Sequence, residues 1–319
     1  MLLYGRKENS IYTMNESICT EEKPKSSKKS FLLDIIYGYV IGIAFIIPGF
    51  SGGSIAAILG IYEKLVGAIA DIFKSFKKSI LTLLPIGIGM VLGVVSLLFP
   101  LGWALEKFPF PTVCLFVGLA IGGLPSITGN LGGKIKATNV VACTIPLIAA
   151  ASLSFLPVSG DVNLFGLNLG GYILLVIIGI IGSTALVVPG ISGSMLLLIF
   201  GYYNPIVNMV TDHLLVGKDV GISFAVLGCT AFGIAVGFIL ISKIMKYLLK
   251  NYPRGTYFAI VGFIVGSIPS IYVSTAKEAG FTISTLPSSP FHWIMCVVML
   301  GVGFALSFAL VLYSKKRSK

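Results

Sequence analysis

Apolar residues run along this chain in long blocks, and the charged residues are confined to short gaps between them. The first block extends from about Asp34 to Ile72 and is closed by Lys74, Lys77 and Lys78. Three more follow at roughly 79–105, 112–128 and 139–157, separated by Glu106 and Lys107 and then by Lys134 and Lys136. From Val162 to Thr211 there is no charged residue, and three further blocks lie near 222–242, 256–274 and 291–313. A membrane-spanning helix needs about 20 predominantly apolar residues. Six of the blocks therefore predict single spans, while 34–72 and 162–211 are too long for one.

Both long blocks are interrupted by the same kind of sequence: Pro48-Gly-Phe-Ser-Gly-Gly-Ser54 and, 141 residues later, Pro189-Gly-Ile-Ser-Gly-Ser-Met195. Proline stops the incoming helix, glycine permits a tight turn, and serine caps whatever helix restarts. Backbone groups freed this deep in an apolar segment must be satisfied by protein or by a polar ligand. The surroundings repeat as well. Gly60-Ile61-Tyr62 matches Gly201-Tyr202-Tyr203, Gly89 and Gly93 match Gly233 and Gly237, and Gly118, Gly122 and Pro125-Ser126-Ile127 match Gly262, Gly266 and Pro269-Ser270-Ile271. The register slips by only three residues, which predicts an internal duplication.

Composition agrees with the pattern. The 319 residues are 56% hydrophobic and 11% charged, against about 25% charged in soluble domains, and the mean hydropathy is +0.98. The formal charge of +11 does not indicate nucleic acid, because the positive residues occupy loops between spans. With the amino terminus inside, each broken segment returns to the face it entered, and three crossings follow. This puts 19 Lys and Arg on the inner side and only Lys107, Lys218 and Lys277 outside, the bias expected of cytoplasmic loops. The predicted fold is an all-α integral membrane protein of two inverted repeats, each one broken re-entrant helical hairpin plus three transmembrane helices. The boundaries are a disordered cytoplasmic tail at 1–33, a first repeat at 34–157, an extracellular loop at 158–170, a second repeat at 171–314 and a basic cytoplasmic tail at 315–319. Inverted repeats are a common plan of secondary transporters, with the substrate site at the repeat interface. The five cysteines form no C-x-x-C pair and His213 and His292 are isolated, so no metal or other cofactor is expected.

If the two hairpin tips meet, restarted helices near Ser51–Ser54 and Ser192–Ser194 bring unpaired N–H groups, hydroxyls and partial positive charge together. That is chemistry for an anion, without fixed charges, which are costly at the bilayer centre. The sequence I-I-P-G-F-S-G-G-S-I-A-A-I-L-G-I-Y-E-K-L at 46–65, with V-P-G-I-S-G-S-M-L-L-L-I-F-G-Y-Y-N-P at 188–205, resembles the bacterial polyprenyl-phosphate translocases, formerly domain of unknown function 368, over nearly the whole chain after residue 33. The resemblance implies a lipid transporter in the bacterial cytoplasmic membrane that returns undecaprenyl phosphate from the outer to the inner leaflet. It implies substrate contacts at Pro48, Gly49, Ser51, Gly52, Gly53, Ser54, Pro189, Gly190, Ser192, Gly193 and Ser194. The chain departs from the family pattern at Ile46, where an acidic residue is common, and at Lys64, where arginine is common. The first departure removes a candidate proton-coupling carboxylate.

Glu63, Lys64 and Arg254 are further candidates for ion coupling or headgroup contact. Glu63 and Lys64 are expected to pair with one another or to face the headgroups, Arg254 to anchor the inner face, and Asp34 and Asp71 to mark segment ends. The expected partners are the polyprenyl phosphate, membrane lipids and a coupling ion such as the proton. Two alternatives remain. Undecaprenyl-pyrophosphate phosphatases also carry inverted hairpins with P-G-x-S motifs, but Gly52 and Gly193 stand here where an arginine is expected, and no histidine lies near either tip. A carrier of small anions would need the same tips.

Overall fold

The computed structural model describes residues 28–46, 51–131, 135–153, 155–157, 159–278 and 289–317. The chain divides into two units, Met1–Leu33 and Asp34–Lys319; of the first, only residues 28–33 are described, as the opening turns of a helix. Most of the tail expected at 1–33, and Pro48 and Gly49 of the first motif, lie outside the described residues.

Every element described is helical, and the elements come in the same order twice. In the first half they are α1 (Lys28–Ile46), α2 (Gly52–Ile58), α3 (Tyr62–Ala70), α4 (Phe76–Lys107), α5 (Pro109–Thr128) and α6 (Ala137–Leu153). In the second they are α7 (Leu169–Val187), α8 (Gly193–Ile199), α9 (Tyr203–Asn208, continued by a π-turn over Met209–Leu214), α10 (Val220–Asn251), α11 (Pro253–Gly266), α12 (Ile268–Glu278) and α13 (Pro290–Arg317). Three pairs of equivalent helices match in length: 19 residues for α1 and α7, seven for α2 and α8, and 32 for α4 and α10.

Matched glycines explain why the halves pack alike. A Cβ on Gly38 would sit 2.0 Å from the Ile86 carbonyl oxygen, and one on Gly179 2.5 Å from that of Thr230, so α1 lies against α4 as α7 lies against α10. A Cβ on Gly118 would stand 2.2 Å from the Leu300 oxygen, and one on Gly262 2.1 Å from that of Cys143. These second contacts cross between halves, pairing α5 with α13 and α11 with α6. Small residues that let backbones approach are how helices associate where lipid removes the hydrophobic drive. The outward faces are apolar instead, as on α4, where Leu81, Leu84, Val91, Leu92, Val95 and Phe99 are all exposed.

Six helices among the described residues are long and apolar enough to cross a membrane, and a seventh if the bent pair α8 and α9 counts as one. Five correspond to the blocks predicted as spans. The block at 139–157 is shorter than expected, ending at Leu153, and the sixth long helix is α7, which enters the second break. At 1.5 Å per residue α7 measures about 28 Å, close to the roughly 30 Å hydrocarbon core. The entering arm is therefore long enough to cross that core.

The outgoing arm is broken a second time. Gly60 (φ +72°) and Gly201 (φ +74°) occupy the left-handed region, which costs a residue with a Cβ about 1–2 kcal/mol. Each closes a Schellman turn: Ile61 N–H to Ala56 O at 3.0 Å with Gly60 N–H to Ala57 O at 3.2 Å, and Tyr202 N–H to Leu197 O at 2.9 Å with Gly201 N–H to Leu198 O at 3.0 Å. In the second half the helices on either side of this turn are bent by 108°. The loop before α7 covers it, Val162 N–H donating to Gly201 O at 3.0 Å and Asn204 Nδ2 to Asp161 at 3.1 Å.

Candidate functional site

The two motifs meet in the middle of the main core, among Ile41, Ile55, Ile58, Val187, Ile260 and Ile264. Pro189 explains how. The residue before a proline is forced out of the helical region, and Val188 accordingly takes ψ +117°. Its N–H still bonds Thr184 O at 2.7 Å, but the carbonyls that follow at the end of α7 lose their helical donors. Two hydroxyls from the first half replace them. Ser51 Oγ donates to Ala185 O at 2.9 Å, and the Tyr62 hydroxyl donates to Val187 O at 2.8 Å. Both side chains come from residues that are almost wholly buried, at 3% exposure each.

The serines open their helices in the same way. Ser51 (φ −111°, ψ +133°) accepts from Gly53 N–H at 3.2 Å, and Ser192 (φ −91°, ψ +121°) accepts from Met195 N–H at 3.4 Å, the usual geometry of an N-cap. Beyond the cap they differ. Ser51 reaches across to the other half, while Ser192 bonds the hydroxyl of its neighbour Ser194 at 3.2 Å. Ser54 is buried and Ser194 half-buried.

The glycines are close-approach positions. A Cβ on Gly53 would lie 3.1 Å from Val187 O and 3.5 Å from Pro189 N, so Gly53 is where the first tip touches the second. Gly190, at φ +84°, backs onto Phe263, whose carbonyl would stand 2.5 Å from an added Cβ. The Phe45 ring covers Gly52, and Ala185 and Gly182 flank Gly193. The tips are thus brought together, with Ser51, Gly53, Val187 and Pro189 at the junction and Ser192 and Ser194 beside it.

The charged candidates find other partners than expected. Lys64 does not pair with Glu63, since adjacent helical residues diverge. Its Nζ bonds both oxygens of Asp34 at 2.7 and 2.8 Å, and Asp34, expected at a segment end, is buried on α1. Glu63 accepts from the Tyr257 hydroxyl at 2.7 Å. Arg254, in the first turn of α11, donates to Leu131 O at 3.3 Å. Asp71 does close α3, and it pairs with Lys246. No group of three or more His, Cys, Asp or Glu among the described residues could hold a metal ion.

Sequence reasoning missed Tyr62 as a member of the junction. Its signal was present, because Tyr62 and Tyr203 follow the two Schellman glycines at the same offset.

Fold and site together define a multi-pass α-helical membrane protein whose core is a pair of apposed helix breaks. A family model described as undecaprenyl phosphate translocase-like matches residues 41–285, and the chain belongs to that family. The polyprenyl-phosphate transporter of Staphylococcus aureus (strain NCTC 8325 / PS 47) is 32% identical over 284 residues, covering 87% of this chain and 95% of that protein. The polyprenyl-phosphate transporter of Vibrio cholerae serotype O1 is 28% identical over 335 residues, covering 90% and 98%. No solved structure matches the chain.

Proposed function

We propose that this chain carries undecaprenyl phosphate from the outer to the inner leaflet of the bacterial cytoplasmic membrane, recycling the lipid carrier of cell-wall synthesis, with the phosphate held between the two serine/glycine tips. The reading rests on one observation: the tips touch, through Ser51 Oγ and Ala185 O at 2.9 Å. The names of the two relatives support the substrate class.

A hydroxyl has one proton to give. A phosphate oxygen that accepts from Ser51 takes that proton from Ala185, and so releases the first tip from α7. Binding and separation of the halves become the same event. Charge-assisted hydrogen bonds are about twice as strong as neutral ones, which favours the exchange. Ser192 and Ser194 add hydroxyls from the other side, and the polyprenyl chain stays in lipid. The repeats are inverted in this reading, with both termini cytoplasmic. The crossed packing of α5 on α13 and α11 on α6 supports a two-fold relation between the halves, and the charge bias of the loops supports its inversion. Glu63, Lys64 and Arg254 serve as coupling or headgroup contacts, with protons or another ion as the driving partner.

Reconstituted protein should accelerate leaflet exchange of a labelled polyprenyl phosphate, with no release of inorganic phosphate and no uptake of soluble phosphate. Phosphate release without exchange would make it a phosphatase, and uptake of the soluble ion a small-anion carrier.

A further inference from the structure

The second feature of the molecule suited to an anion lies away from the tips, where α3 ends beside the last turns of α10. Asp71 caps α3, and the turn folds back through Lys74 N–H to Asp71 O at 2.9 Å. On α10, Lys243, Lys246, Tyr247 and Lys250 recur at the spacing that puts side chains on one helical face. Ala70, Asp71 and Lys74 face them across a cleft of about 450 Å³, a size typical of small-ligand sites, which run from about 300 to 1,000 Å³.

Four lysines line this cleft against one carboxylate. Asp71 pairs with Lys246, and Lys74, Lys243 and Lys250 form no ion pair among the described residues. Ammonium groups converging from two elements repel one another unless an anion joins them.

The duplication supplies an internal control. At the 144-residue offset that relates α10 to α4, the four residues are Phe99, Gly102, Trp103 and Glu106. The fold does not require lysines there, and only one end of the molecule carries them.

We propose that this cleft binds a phosphate monoester, which displaces Asp71 from Lys246 and is held by the lysines. Lysine binds phosphate as a point charge, and basic pockets at the membrane surface take lipid headgroups. The site rests on this geometry alone; that its anion is the headgroup of the transported lipid rests on the transport reading above.

Calorimetric titration of the purified full chain in neutral detergent, with dodecyl phosphate and separately with inorganic phosphate, tests it. Lys246→Gln with Lys250→Gln should weaken binding at least tenfold, and Asp71→Asn should tighten it several-fold. The pair Lys77→Gln and Lys78→Gln, outside the cleft, should leave it unchanged. Loss of positive charge could disturb insertion, but no such disturbance tightens binding, so Asp71→Asn keeps the test decisive. Dodecyl phosphate bound in preference to inorganic phosphate assigns the site to a lipid headgroup, and equal binding assigns it to the soluble ion. Binding that ignores the cleft substitutions, or no binding of either probe, overturns the inference. Leaflet exchange in the same preparations separates the two readings. Exchange with no lysine-dependent binding sinks the cleft alone, and lysine-dependent binding with no exchange sinks only the transport reading.

Discussion

Ser51 and Ser192 hold equivalent places in the two motifs, yet replacing them with alanine should have unequal effects. Ser51→Ala removes a helix cap, worth about 1 kcal/mol. It also leaves the Ala185 carbonyl without the hydroxyl that now reaches it at 2.9 Å. Interhelical hydrogen bonds inside membrane proteins average about 0.6 kcal/mol and reach about 1.7, so the combined loss is about 2–3 kcal/mol. Ser192→Ala removes a longer cap bond of 3.4 Å and the contact with Ser194, for about 1 kcal/mol. Unfolding of each variant in mixed micelles by dodecyl sulfate should show Ser51→Ala less stable by about 1–2 kcal/mol. Equal losses, or a Ser51→Ala variant within about 0.5 kcal/mol of the parent, would refute the cross-half brace. Transport by the folded fraction then separates bracing from binding. If that fraction exchanges lipid at the parent rate, the Ser51 hydroxyl braces the fold and does not touch the phosphate.

Tyr62→Phe should cost about 1 kcal/mol in the same titration, and less once Ser51 is already alanine if the two hydroxyls hold one junction. Gly190→Ala should cost about 2–5 kcal/mol, from left-handed strain of about 1–2 and a backbone overlap worth another 1–3, and should show as loss of monodisperse protein. Lys64→Gln strands the buried Asp34 carboxylate; the loss should be about 1–3 kcal/mol, below the fully buried case because Lys64 is 43% exposed, and Asp34→Asn in the same chain should recover part of it. Gly262→Ala should destabilise by about 1–3 kcal/mol, whereas Gly228→Ala, with open space around it, should stabilise by up to about 1; a melting series in detergent ranks the pair.

Five of the spans and both motif breaks could be read from the sequence, because charge gaps and the Pro-Gly-x-Ser pattern mark them without reference to anything distant. Helix ends could not be read as well. A helix that faces lipid on one side and apolar protein on the other has no polar face, so the 3.6-residue period is lost. Proline is a weak stop here too: Pro85, Pro100, Pro125 and Pro146 all lie inside helices, as membrane helices tolerate. The second break was hidden for a related reason. Gly60 and Gly201 were visible as a repeat, but a glycine in an apolar run is a turn only if its neighbours' carbonyls need the Schellman bonds. The Asp34–Lys64 pair and the Ser51–Ala185 contact join residues 30 and 134 apart, which no local pattern encodes.

The duplication is most informative where it fails. The lengths of three helix pairs, the Schellman glycines, the capping serines and the glycine contacts agree between the halves, so the scaffold gives each half a similar frame. The charges do not agree. Asp34 and Lys64 correspond to Leu175 and Pro205, Glu63 to Asn204, Arg254 to Phe110, and the α10 lysines to Phe99, Gly102 and Glu106. Each substitution removes a charge from one half or, at Lys250 and Glu106, reverses it, so none of these charges is needed to build the fold. A carrier with identical ends would bind its anion equally well on either side. Unequal ends make one resting side preferred, because a state is stabilised only by its differential interaction with the ligand. The residues that break the repeat therefore set which side holds the anion more tightly. Net direction comes from the lipid gradient or the coupled ion, and the tips, which keep the repeat, supply the path.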